Sequence, residues 1–412
     1  MKPIPSCKIF VLILAAILQS SCESRNVNAT VQEQSTAPLA KIDSNYLKGE
    51  MVSSVGGNIR CMLQDSKSNY WFGSDSSGLF FYSAKTETSA NWRNAILHIT
   101  EKDGLSNNQV RTIQEDKFGN IWFTTGNGIC FYNGKDFIEI DDLNGSKWEI
   151  PSSNIWSFND DDLWFVGPGN GEIYKLDASV NAKNGFENAL TEYTLPNTAS
   201  HSINNYSRAN NGNYDVYCTY KDKKGNLYFG TQSMGVCRLD AGVARNNNKM
   251  NSFSWYTDKG LAGPAVRAIF VDKAGNGWFG NNGEGLFRLD ETQNKFNSDE
   301  HAIRNLTREN KLGNPDFKEK RIVTDLTGTM ARVWSICEDN ASRLWVATID
   351  AGVWRYDPYE GTGNTLINYT TLNGLPSLSV NVIYKDNNGD LLFGTSGKGV
   401  YKCEGDKFIL FK

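Results

Sequence analysis

Seven side chains recur at one repeat position and are the best equipped in this sequence to hold another molecule: Arg60, Arg111, Trp156, Tyr217, Arg267, Trp334 and Asn381. Three carry a guanidinium group, a planar fork that suits carboxylates, sulfates and hydroxyls. Three are large aromatics, whose faces stack on sugar rings or other flat apolar groups. The set would suit a saccharide or an acidic small molecule. A plainer reading stands beside it, in which the aromatics wedge between packed strands and the arginines only neutralise local carboxylates.

Little else has the spacing of reactive chemistry. The three histidines, His98, His201 and His301, form no pair with metal-ligand spacing. There is no Gly-x-Ser-x-Gly elbow and no Cys-x-x-Cys motif, so no catalytic residue, metal ligand or cofactor is assigned. Beyond Cys7 and Cys22, the residues Cys61, Cys130, Cys218, Cys237, Cys337 and Cys403 each sit inside an apolar strand and are expected as buried free thiols. Cys218 and Cys237 fall on the first and third strands of one repeat, too far apart for a disulfide. The segment Asp116–Asn120 and its counterparts from Asp222, Asp272 and Asp386 could pass for calcium loops. They lack clustered oxygen ligands and read as hairpin turns, with Asp starting the turn and Gly taking positive φ.

The elements that position these residues come from a pattern repeated seven times: an apolar strand, a turn, an aromatic strand, a second turn ending in Gly, and a third strand. First strands open at Ile59, Val110, Ile155, Val216, Val266, Val333 and Val380, and the matching second-strand positions are Trp71, Trp122, Trp164, Tyr228, Trp278, Trp345 and Leu392. The offset is twelve residues except in the third repeat, where it is nine and a turn three residues shorter is expected at Asn159–Asp162. A fourth strand follows in most repeats, as at Ile96–Ile99, Phe137–Ile140, Phe253–Tyr256, Leu366–Tyr369 and Phe408–Phe411. Four such antiparallel strands make a propeller blade, and a blade buries both its faces only between two neighbours. The expected fold is all-β: a seven-bladed β-propeller of four-stranded antiparallel blades over residues 49–412. The ring closes either through Phe408–Phe411 alone or with a strand from Tyr46–Ser54 added beside it.

At the N-terminus, Lys2 and Lys8 flank the start of an apolar run, Ile9–Leu18, that is followed by Gln19, Ser20, Ser21 and Cys22. The run is well short of the roughly 20 residues of a membrane-spanning helix, and residues 1–21 read as a secretory signal. Cys22 resembles the acylated Cys of a bacterial lipobox, although Gln19 stands where Leu is usual. Residues 22–48 would then be a lipidated Cys and a polar flexible tether, with lipid as the only hold on the cell-envelope membrane. Net charge is −4 with Lys and Arg dispersed among Asp and Glu, which leaves no basic stripe for nucleic acid.

The repeats resemble the two-component regulator propeller repeat, best in GLSNNQVRTIQEDKFGNIWFTT from Gly104, GLAGPAVRAIFVDKAGNGWFG from Gly260 and GLPSLSVNVIYKDNNGDLLFGTSGKGV from Gly374. Propellers of that family form periplasmic sensors of hybrid two-component systems, often for oligosaccharides. The resemblance implies a sensor-like recognition module, here without the second propeller, sandwich domain, transmembrane helix and kinase usual in those sensors. Two other classes stay open: a scaffold for a partner protein in the envelope, and a propeller enzyme of the lyase or glycan-active kind. In a propeller the second residue of each inner strand lies near the face that carries the connections between blades. Two enlarged connections, from about Asp177 to Asn213 and from about Asp290 to Met330, are expected to follow outer strands and so to lie on that face.

Overall fold

The computed structural model describes residues 47–83, 96–140, 142–143, 146–147, 155–157, 163–166, 172–177, 190–195, 216–232, 234–241, 253–256, 261, 265–290, 303–309, 332–357 and 365–411. The chain divides into residues 1–40 and 41–412, and everything described belongs to the second unit. The signal segment, Cys22 and most of the tether lie outside the described residues, as do His201 and His301.

Among the described residues, six of the seven repeats have their first hairpin set by one Asp. In blade II, Asp116 Oδ1 accepts the backbone N–H groups of Phe118 and Asn120, while Oδ2 accepts Asn120 Nδ2 at 2.7 Å and Trp122 Nε1 at 2.9 Å. Gly119 takes φ 77° to turn the chain. The same carboxylate holds Trp71 from Asp65, Trp278 from Asp272 and Trp345 from Asp339. One acid therefore caps the turn and fixes the indole six residues on. These turns are structural, and no group of metal-ligating side chains occurs among the described residues.

The indoles are held because they are the core. Inner strands run Ile59–Gln64, Val110–Glu115, Ile155–Ser157, Val216–Lys221, Val266–Val271, Val333–Glu338 and Val380–Lys385, each antiparallel to the second strand of its blade. Second strands such as Ile121–Thr125 and Leu344–Thr348 are buried at every residue, since a neighbouring blade covers each face. Seven clusters fill the seven junctions in one pattern: the aromatic position of a blade packs with the residue after that position in the next. Trp71 meets Phe123, Trp122 meets Phe165, Trp164 meets Phe229, Tyr228 meets Phe279, Trp278 meets Val346, Trp345 meets Phe393, and Leu392 meets Phe72. The last pair joins blade VII to blade I, so the ring is closed. The fold is the expected seven-bladed propeller of four-stranded antiparallel blades.

Closure uses both ends of the described chain. The outer strand Lys407–Leu410 completes blade VII by itself. Glu50–Val52 pairs instead with Ile96–Ile99 and gives blade I a fifth strand. Phe411 then reaches across the seam, with its ring centroid 5.4 Å from that of Tyr70, 5.1 Å from Phe72 and 5.6 Å from Tyr82. Blade VII has Leu392 where five blades have an indole and blade IV has Tyr228, and Tyr70 of blade I supplies the missing donor, its hydroxyl donating to Asp386 Oδ2 at 2.7 Å.

Two expectations about the connections change. The third repeat has no shortened turn: Trp156 pairs with Trp164 as Gln114 pairs with Trp122, and five residues bridge the strands in both blades. Ile155 therefore matches Ile113, and the inner strand of blade III is out of register by three with the sequence alignment. Each enlarged connection also contains an outer strand, Leu190–Thr194 in blade III and Ile303–Asn305 in blade V, the latter followed by a short helix Leu306–Glu309. These strands hide because they are short or alternate Leu and Tyr with Thr and Glu. The excess is thus divided in sequence between third-to-outer and outer-to-inner connections. Residues 178–189, 196–215, 291–302 and 310–331 of these connections lie outside the described residues.

Candidate binding site at the channel mouth

In six blades the singled-out residue occupies a β-bulge. The ladder steps from Ile59 to Cys61, Val110 to Thr112, Val216 to Cys218, Val266 to Ala268, Val333 to Ser335 and Val380 to Val382, leaving Arg60, Arg111, Tyr217, Arg267, Trp334 and Asn381 without a cross-strand partner. A bulge re-aims a side chain that regular pleating would send into the interblade core. Blade III differs. Trp156 is paired in the ladder and does not share the position; by register the equivalent is Ser153, outside the described residues.

Four of the six are brought together across the channel. The Arg60 guanidinium lies 4.4 Å from the centre of the Trp334 ring, although blade VII separates their blades. Arg267 lies 4.8 Å from the same ring and 4.2 Å from that of Tyr217. Trp334 is fixed from its other end, its Nε1 donating to Asn282 Oδ1 at 3.0 Å. Arg111 belongs to the same electrostatic group, since Arg60, Asp75 and Tyr217 all act on it. Asn381 does not join them: it is buried at the seam, donating to Ile59 O at 2.9 Å and to Asn58 Oδ1.

The polar partners confirm which face this is. Asp75 and Asn282 lie in turns between second and third strands, whereas Asn58 and Gln109 sit just before inner strands. Asp75 lies 3.6 Å from Arg60 Nε and accepts Gln109 Nε2 at 3.4 Å; Gln109 Oε1 accepts Arg111 Nη2 at 2.8 Å. Burial, then the neighbouring Arg60, lowers the pKa of Arg111 despite Asp75. Burial also lowers that of Arg267, with Tyr217 opposing and Arg60 adding to the effect. Both cations are thus less favourable here than in water. The arrangement can grip a group that is flat on one side and hydrogen-bond accepting or anionic on another.

Among the described residues, one histidine and six cysteines remain. His98 lies on the outer strand of blade I, stacked on Phe80 at 4.5 Å. The six thiols are free; Cys130 and Cys237 are fully buried and the other four half-buried. Burial pushes the Cys61 and Cys218 thiols up to about 12. Sequence reasoning missed Gln109 and Asp75, which lie off the repeat position but link Arg60 to Arg111.

Four segments match the model described as two component regulator propeller: residues 104–127, 211–233, 329–350 and 374–397, in blades II, IV, VI and VII. No curated protein matches the chain in sequence. Among solved structures, a streptogramin B lyase is similar at 15% identity and TM-score 0.53, covering 85% of this chain and 94% of that one. A catalytically inactive virginiamycin B lyase from Staphylococcus aureus, with quinupristin, is similar at 14% identity and TM-score 0.53, covering 86% and 98%. The extracellular domain of a putative one component system from B. thetaiotaomicron is similar at 16% identity and TM-score 0.51, covering 85% of this chain, which spans only 39% of that one. At these identities the likeness is one of fold. No helix among the described residues is long and apolar enough to cross a membrane. Four matched segments, set in a closed ring of seven blades, make blades II, IV, VI and VII similar to the two component regulator propeller repeat.

Proposed function

We propose that this protein is a non-catalytic, sensor-like recognition propeller of the bacterial cell envelope that binds a saccharide or an acidic small molecule at the channel mouth. The observation that carries the reading is the convergence of Arg60, Arg267, Trp334 and Tyr217 from four different blades. Core aromatics in this fold lie between adjacent blades, whereas Arg60 and Trp334 meet across an intervening blade. The similar extracellular domain from B. thetaiotaomicron fits a role outside the cytoplasm, and Cys22 would tether the module by lipid. On this reading Cys22→Ser moves the protein from the membrane fraction to the soluble one; unchanged fractionation counts against the anchor.

The site is tested by screening purified protein against glycans and organic acids, with analysis of products. Binding without turnover supports recognition. Turnover would assign the site to an enzyme, as in the lyases that share the fold, and silence would favour a scaffold for an envelope protein. For any ligand found, Arg111→Ala and Arg267→Ala are expected to weaken binding by about 2 to 4 kcal/mol with the melting temperature little changed. A large melting shift with affinity intact would make the arginines structural.

A further inference from the structure

We infer that the occupant of the channel mouth carries a negative charge, and that Asp75 holds the place of that charge while the site is empty. The inference rests on the proposal that the channel mouth is a binding site. Its ground is a contrast between two sets of arginines in the same fold. On the third strands, Arg238, Arg288 and Arg355 each have an Asp two residues on, with ion-pair distances of 2.7 Å to Asp240, 2.9 Å to Asp290 and 3.3 Å to Asp357. Where an arginine serves the fold, the chain supplies a carboxylate of its own.

Around the channel it does not. Among the described residues, Arg60, Arg111 and Arg267 have one carboxylate in ion-pair range between them, Asp75, and it is 3.6 Å from Arg60 alone. Arg111 has the neutral Gln109 as its hydrogen-bond partner. Arg267 is stacked on Tyr217 and Trp334 and has no carboxylate in ion-pair range among the described residues. Stacking on aromatic rings offsets part of the cost of burying a guanidinium group, but it does not answer converging positive charges. An anion would meet several planar donors at once and relieve the repulsion among them. Asp75, with 34% of its side chain exposed, can turn to water as the anion enters.

Sulfate is the probe, titrated by calorimetry at low ionic strength and in the low-millimolar range, where its general salting effect on proteins is negligible. Sulfate is expected to bind the wild-type protein, about ten-fold more weakly or worse in Arg111→Gln and Arg267→Gln, and several-fold more tightly in Asp75→Asn. Should the arginine variants fail to fold, Asp75→Asn decides, since it removes the competing charge and keeps the shape. No binding, or affinity that Asp75→Asn leaves unchanged or lowers, overturns the inference. If sulfate is silent while a neutral sugar binds and Trp334→Ala abolishes that binding, the charge assignment fails and the binding site stands.

Discussion

The aspartates that open the hairpins show how much one side chain can organise. Asp116 is 9% exposed and accepts from two backbone amides, an amide side chain and an indole. Replacing it with Ala strands those donors in a dry site, and Asp116→Ala is expected to cost about 2 to 4 kcal/mol in urea unfolding. Asp339 adds a pH dependence. Burial alone would raise its pKa, but the Trp345 indole, the Arg343 amide and the Arg343 guanidinium together hold it below the ordinary 3.8. A carboxyl depressed in the folded state contributes stability that is complete above its unfolded value and is lost as pH falls through the folded one. Stability should therefore drop below about pH 4, and Asp339→Asn should flatten that acid limb while lowering stability at neutral pH. An unchanged limb in the variant would mean that other carboxylates carry it.

At the level of strands, the indole position is both the centre of a second strand and one half of a junction. Trp278 is fully buried, packs with Val346 of blade VI and is stacked by Arg288 at 5.2 Å. Trp278→Ala is expected to cost about 3 to 5 kcal/mol, and a loss under about 1 kcal/mol in denaturant melts would contradict its burial. Most of this layer was readable in the residues, because an Asp-x-x-Gly turn followed by an aromatic fixes hairpin and register together. Blade III was misread because Ile155-Trp156 imitates the apolar-then-large start of the other inner strands while lying three residues further along. The bulge was readable only in part. Six inner-strand residues face five across a five-residue turn in blade II, so one must be extra, but which one depends on how the blade meets the channel. The outer strands of blades III and V left too weak an apolar alternation to be seen.

For the ring as a whole, the seam between blades VII and I is the junction without a covalent connection. Beyond the Leu392 packing and the Asn381 bonds, its hold includes the Tyr70 to Asp386 hydrogen bond, the Phe411 ring, and the bonds Gln64 N to Tyr384 OH at 2.8 Å and Asn387 N to Gln64 Oε1 at 2.7 Å. Phe411 is only half-buried, so Phe411→Ala is expected to cost about 2 kcal/mol, less than a core aromatic. The loss should appear first as faster amide exchange in blades I and VII, and exchange raised equally in all blades would show that the seam opens only with global unfolding. That seven blades close was legible from repeat count; that Glu50–Val52 joins blade I rather than blade VII was not, since three residues at a sheet edge carry no address.

The bulge also separates two kinds of inheritance. A residue left out of the strand ladder, and aimed away from the clusters that join blades, can change identity without disturbing either. Arg60, Arg111, Tyr217, Arg267 and Trp334 share that freedom, whereas Asn381, hydrogen-bonded across the seam, has given it up. A gene encoding this ring could therefore accumulate new residues at five points of the channel one at a time, each tried against whatever the environment offers, while the scaffold that displays them is passed on intact.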